Sequence, residues 1–332
     1  MKFRILSACA LVCALALGVA AQEAAKQAEV KVSGGERDAA AKIEKAAGIE
    51  AKLQAAAAFV KKYPQSPLRK QIAESLAGEV AAATDPQTSL SLAQTYADIF
   101  NLPEEKQRVS ATLLSGYINT GQVDEAMKAG TDWLAQHPDD VATMQNLTIL
   151  ASGQAIKGNA AFTAQGRQYG AKAIELIEAD KMPAGFDAAK WPDFKKTALP
   201  SLYRETAVLA YKAGDKKAAL PLLEKAAAHN STDPGVYFLL SELNNDVYEL
   251  RAKEYQIAAA ADRPAALKLV EEQLDKVIDS YARAIAITDG NAQYQQANVA
   301  FRQDLERYYK FRHKNSTDGL QQLIDKYKKP AQ

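Results

Sequence analysis

This sequence predicts an all-α fold, and three observations carry that prediction. Pro and Gly punctuate the chain at short intervals from Leu53 onward, and strand-like alternation of β-branched residues is absent. The segments between the breaks carry apolar residues at helical spacing. Two stretches also repeat one another: residues 121–138 (GQVDEAMKAGTDWLAQHP) and 214–227 (GDKKAALPLLEKAA). Each places Ala five positions beyond its Gly, at Ala126 and Ala219, with Trp133 or Ala226 seven positions further on. Such self-similarity predicts helical hairpins stacked into an array.

Residues 1–21 read as a signal peptide. Lys2 and Arg4 form a positive start, residues 5–19 are almost wholly apolar, and Val19-Ala20-Ala21 offers small residues for cleavage before Gln22. The run is shorter than the roughly 20 residues that span a bilayer, so cleavage and export to the periplasm or beyond the cell are expected. The minor alternatives are an uncleaved anchor and lipidation at Cys9, since Leu6-Ser7-Ala8-Cys9 resembles a lipobox. Cys9 and Cys13 are the only cysteines and leave with the signal. The exported chain is then expected to lack disulfides, thiolate metal sites and cysteine catalysis. Removing Lys2 and Arg4 leaves 39 basic against 40 acidic residues, a balance with no global attraction to nucleic acid.

Residues 22–37, rich in Ala, Lys, Glu and Gln, are expected to be a flexible leader. A helical apolar series then starts with Ile43, Ile49, Leu53 and Phe59, and the helical domain is assigned to residues 38–332. Leu113, Leu114, Tyr117 and Ile118 line one stripe before Gly121, and Leu202, Leu209 and Tyr211 another before Gly214. Residues 180–200 break the rhythm with Pro183, Pro192 and Pro200. They are expected to form a long loop whose Phe186 and Trp191 pack onto the helices. Residues 244–261 and 265–287 read as one lengthened helical pair.

The two hairpins, about 107–140 and 200–233, resemble tetratricopeptide repeats. Gly121, Ala126, Pro138 and Tyr117 match the family's loop glycine, central small residue, terminal proline and first-helix aromatic. Gly214, Ala219, Leu223, Ala226 and Ala207 match in the second hairpin. Gly130 and Trp133 depart from the pattern. The resemblance implies a right-handed α-solenoid with a concave groove lined by first helices, which binds a protein or peptide partner. Groove positions then fall on Arg108, Ala111, Thr112 and Ser115, and on Ser201, Arg204, Glu205 and Val208. That mixture is wrong for a terminal-carboxylate clamp and leaves Arg108 and Arg204 as candidate partner contacts.

Motifs for chemistry are missing. The three histidines, His137, His229 and His313, lie far apart near helix ends, where the helix dipole favours a cation. There is no H-E-x-x-H, no phosphate-cradling G-x-x-x-x-G-K-[ST] and no G-x-S-x-G, so no metal, cofactor or catalytic residue is assigned. The tail 307–314 (RYYKFRHK) interleaves basic and aromatic residues. It is expected to be a terminal helix that packs Leu305, Tyr308, Tyr309 and Phe311 inward, with Arg312 and its basic neighbours in water. Tyr308, Tyr309 and Arg312 are therefore weaker candidates for contact with an acidic partner or a membrane surface.

The sequence thus reads as an exported tetratricopeptide-like scaffold for protein–protein interaction in a bacterial envelope, with no enzyme activity and no nucleic-acid partner expected. The alternatives are an envelope enzyme or cell-wall-processing subunit with a site near residues 180–200, whose Phe186 and Trp191 would contribute, and a lipid or small-molecule carrier built on the long late helices.

Overall fold

A computed structural model of the chain describes residues 32–229 and 232–328. The signal-peptide and Cys9 assignments lie outside the described residues. Within them the fold is all-α, with fifteen α-helices, one 3-10 turn and no strand. Two compact units divide the contacts, residues 1–116 and 117–332.

The first unit contains α1 (Gly34–Lys45), α2 (Gly48–Lys62), α3 (Leu68–Ala81), α4 (Pro86–Ile99), α5 (Pro103–Gln107) and the start of α6 (Ser110–Asn119). Helix α1 corrects the expected leader, which cannot extend to Arg37. Ser33 Oγ accepts from Glu36 N at 3.2 Å and Ser33 N donates to Glu36 Oε2 at 2.8 Å. This capping box satisfies two otherwise free donors and starts the helix at Gly34 despite the Gly-Gly pair. Leu53, Phe59, Leu76, Val80, Tyr96 and Phe100 form the core between α2, α3 and α4.

The second unit continues with α7 (Val123–Gln136), α8 (Val141–Ile156), α9 (Thr163–Glu178), α10 (Trp191–Lys212) and α11 (Lys216–Ala228). It ends with α12 (Pro234–Ile257), α13 (Arg263–Thr288), α14 (Gln295–Arg312) and α15 (Leu320–Tyr327). Each helix from α7 to α13 packs on the next, α8 also touches α10, and α13 also touches α15. That is hairpin stacking: a helix meets its own partner and the first helix of the following pair.

The repeat glycines have a structural cause. Gly121 and Gly214 have φ of 70° and 79°, a left-handed conformation that side chains resist. Gln122 N donates to Tyr117 O and Gly121 N to Ile118 O; Asp215 N and Gly214 N bond Ala210 O and Tyr211 O in the same way. Both hairpins therefore turn through a Schellman cap. Ala126 and Ala219, five residues on, are fully buried.

Gly130, out of place in the repeat pattern, is explained by Leu147. A β-carbon at Gly130 would lie 2.5 Å from Leu147 Cδ1, so the glycine lets α7 and α8 approach. On α9, Gly166 faces Ala151 and Leu209, and Gly170 faces Thr148 and Thr206. Two glycines four apart thus admit α8 on one side and α10 on the other.

The expected loop 180–200 is shorter than predicted. Helix α10 begins at Trp191, and only 179–190 connects it to α9. Pro192 lies in the first turn, where no intrahelical acceptor is waiting for its missing N–H. The lengthened pair is present as α12 and α13, of 24 and 26 residues. A buried polar cluster fixes their register: Asn244 Nδ2 donates to Ser280 Oγ at 2.9 Å, and Gln273 Nε2 to Asn244 Oδ1 at 3.0 Å.

Candidate functional site

The two groove arginines belong to different units, and both are engaged within their own. Arg108 Nη2 donates to Glu74 Oε1 at 2.7 Å. Arg204 pairs with Glu205, which is buried, and its Nε lies 2.8 Å from Asp233 Oδ2 at the start of α12. A partner competing for either guanidinium would have to displace a carboxylate already in place.

Phe186 and Trp191 pack inward, as expected. With Phe194 they form an aromatic trio: Phe186 meets Trp191 edge-on at 5.4 Å, and Trp191 stacks on Phe194 at 5.7 Å. Trp191 is buried, and its Nε1 donates to Asp180 Oδ1 at 2.8 Å. Asp180 is held below the usual carboxylate range, first by its bond with Lys195 and then by Trp191.

The tail helix α14 docks as anticipated except at two residues. Leu305 and Tyr309 are buried, Tyr309 Oη donates to Asp318 O at 2.7 Å, and Tyr308 Oη donates to Asn245. Arg312 Nε donates to Asp275 Oδ1 at 2.9 Å, so it bridges to α13 instead of facing only water. Phe311, expected inside, is 69% exposed. It follows Tyr309 by two positions, which turns it to the opposite side of the helix.

All three histidines sit at helix C-caps against an aromatic ring. His137 lies 4.0 Å from Trp133, His229 5.7 Å from Tyr203 and His313 4.0 Å from Tyr309. Among the described residues no group of three or more His, Cys, Asp or Glu is placed to hold a metal ion, and no helix is long and apolar enough to cross a membrane.

The feature that sequence reading missed is a cavity of about 560 Å³ between α11, α12 and α13. Tyr237 and Leu240 form its floor, and Ala227 and Ala228 one wall. Two ion pairs frame it. Lys276 Nζ reaches from α13 to Glu224 Oε1 on α11 at 3.0 Å, and Arg283 Nε donates to Asp279 Oδ2 at 2.8 Å. The Arg283 guanidinium also lies 4.2 Å over the Tyr327 ring, and Tyr327 Oη donates to Asp279. Partial burial works against the Arg283 charge, but Asp279 outweighs it and holds the pKa above the ordinary arginine value. Burial pushes the Tyr237 phenol up as well. The result is a site with an apolar floor and charges of both signs at fixed places on its rim, of a size that takes a side chain cluster or a small ligand.

No family model matches this chain, and no curated protein does. Among solved structures, a tetratricopeptide repeat protein from Parabacteroides merdae is similar over 80% of this chain and 96% of its own, at 12% identity and a TM-score of 0.34.

Proposed function

We propose that the chain is an exported, tetratricopeptide-like scaffold that binds a protein or peptide partner in a bacterial envelope and does not transform it. The cavity between α11, α12 and α13 is the observation that carries this reading. Tyr237 and Leu240 are already buried, and the apolar wall of half-buried Ala227 and exposed Ala228 gains from being covered, at roughly 25 cal/mol per Å² removed from water. Its paired rim charges orient what covers it and discriminate against wrong partners. The partner segment therefore presents an apolar side chain flanked by polar or charged ones. Arg108 and Arg204, tied to Glu74 and to Glu205 and Asp233, serve the helices around them instead.

The test is in-cell crosslinking of the tagged full chain, read by mass spectrometry beside an Ala228→Trp variant. Ala228 is an exposed wall residue, so tryptophan there fills the cavity without entering the core. A discrete partner that the variant loses supports the reading, and recovery of the same partners from both chains overturns it. N-terminal sequencing of the fractionated protein tests export separately, with Gln22 expected as the first residue.

A further inference from the structure

The long hairpin of α12 and α13 outgrows the core of its unit. Asn244 is the last buried residue of α12 and Val270 the first of α13. No residue from 245 to 269 is buried, although this arm carries large apolar side chains. Leu250 is 55% and Ile257 86% exposed on α12, with Leu267 and Leu269 exposed on α13. The arm holds four acidic and four basic residues, so its net charge is zero.

Leu250, Lys253, Glu254 and Ile257 stand at i, i+3, i+4 and i+7 and share one face of α12. The order along that face is apolar, positive, negative, apolar. A two-fold interface is isologous: residue i meets residue j of the second copy, and j meets i. With the axis passing between Lys253 and Glu254, Leu250 meets Ile257 of the second copy twice over. The same operation sets Lys253 against Glu254 of the second copy, also twice.

We infer that this face of the arm pairs antiparallel with the same face of a second copy of the chain. A wholly apolar partner groove would leave Lys253 without a counter-charge, whereas the same face turned through the two-fold sets Glu254 of the second copy against it. The balanced charge also gives no pull toward anionic lipid. Within one chain Glu254 accepts from Arg251 at 2.7 Å through Oε2, and a carboxylate has two oxygens, so it can also take a second cation. The inference is independent of what occupies the cavity.

Sedimentation velocity of the full chain over a concentration series tests it. The expected result is a concentration-dependent dimer that Leu250→Glu/Ile257→Glu abolishes while the circular-dichroism melt is unchanged. Lys253→Glu alone should weaken dimerisation several-fold, and Lys253→Glu/Glu254→Lys should restore it. A monomer at every concentration, a dimer indifferent to Leu250→Glu/Ile257→Glu, or a charge swap that fails to restore would each overturn the proposal.

Discussion

Arg69 grips Glu105 through two parallel hydrogen bonds, Nε to Oε1 at 2.6 Å and Nη2 to Oε2 at 2.8 Å, with both side chains buried in the first unit. The remaining capacity is used: Nη1 donates to Pro64 O at 3.1 Å, Nη2 also reaches Asn101 Oδ1, and Leu102 N donates to Glu105. This pair ties the start of α3 to α5. Removing one partner strands a buried charge, so Arg69→Ala or Glu105→Ala should each cost about 3–5 kcal/mol. Arg69→Met/Glu105→Leu should cost clearly less than either, because no charge is left behind. Urea denaturation of the three variants checks this, and a double variant worse than both singles would contradict it.

Glycine contacts predict effects of opposite sign. Gly170→Ala drives a methyl into Thr206 and Thr148, and Gly130→Ala drives one into Leu147; each should destabilise by about 1–3 kcal/mol. Gly153 sits inside α8 with nothing within 4 Å of its missing β-carbon. Gly153→Ala should therefore stabilise by about 1 kcal/mol through helix propensity. Thermal melts of the three proteins would show two falls and one rise.

Buried overpacking tests the repeat register in the same way. Ala126→Leu and Ala219→Leu add volume at fully buried positions and should each cost about 1–3 kcal/mol. Unchanged melting of both would contradict the equivalence of the two hairpins.

Alkaline pH should loosen both units. Burial pushes the phenols of Tyr96 and Tyr281 up to about 12 from 10.0. The folded chain therefore holds these protons more tightly than the unfolded one. Their contribution is complete below pH 10.0 and is lost as pH rises through about 12, on the order of 2 kcal/mol for each. Tyr96→Phe and Tyr281→Phe should flatten this alkaline limb in denaturation curves taken from pH 8 to 12, roughly the span over which tyrosine titrates.

Features made of neighbouring residues were legible in the sequence. Gly121 and Gly214 announced their turns because a left-handed cap leaves few alternatives, and the histidines fell at helix ends. Proline was read too literally: Pro192 marks the beginning of α10, while Ser33 and Glu36 spelled a cap that the adjacent Gly-Gly obscured. The cavity was not legible, because Glu224 and Lys276 stand 52 positions apart and no local pattern marks such a meeting. Nor was the pairing of Arg108 and Arg204, since register within a repeat says which way a side chain faces but not which carboxylate waits there.

Contact from the cavity itself is the most direct test of partner binding. A photo-reactive side chain at Ala228, irradiated in cells expressing the full chain, should give a discrete crosslinked protein that the same probe at exposed Lys128 does not. Equal labelling from both positions, or none from Ala228, would contradict the assignment of this cavity as the partner site.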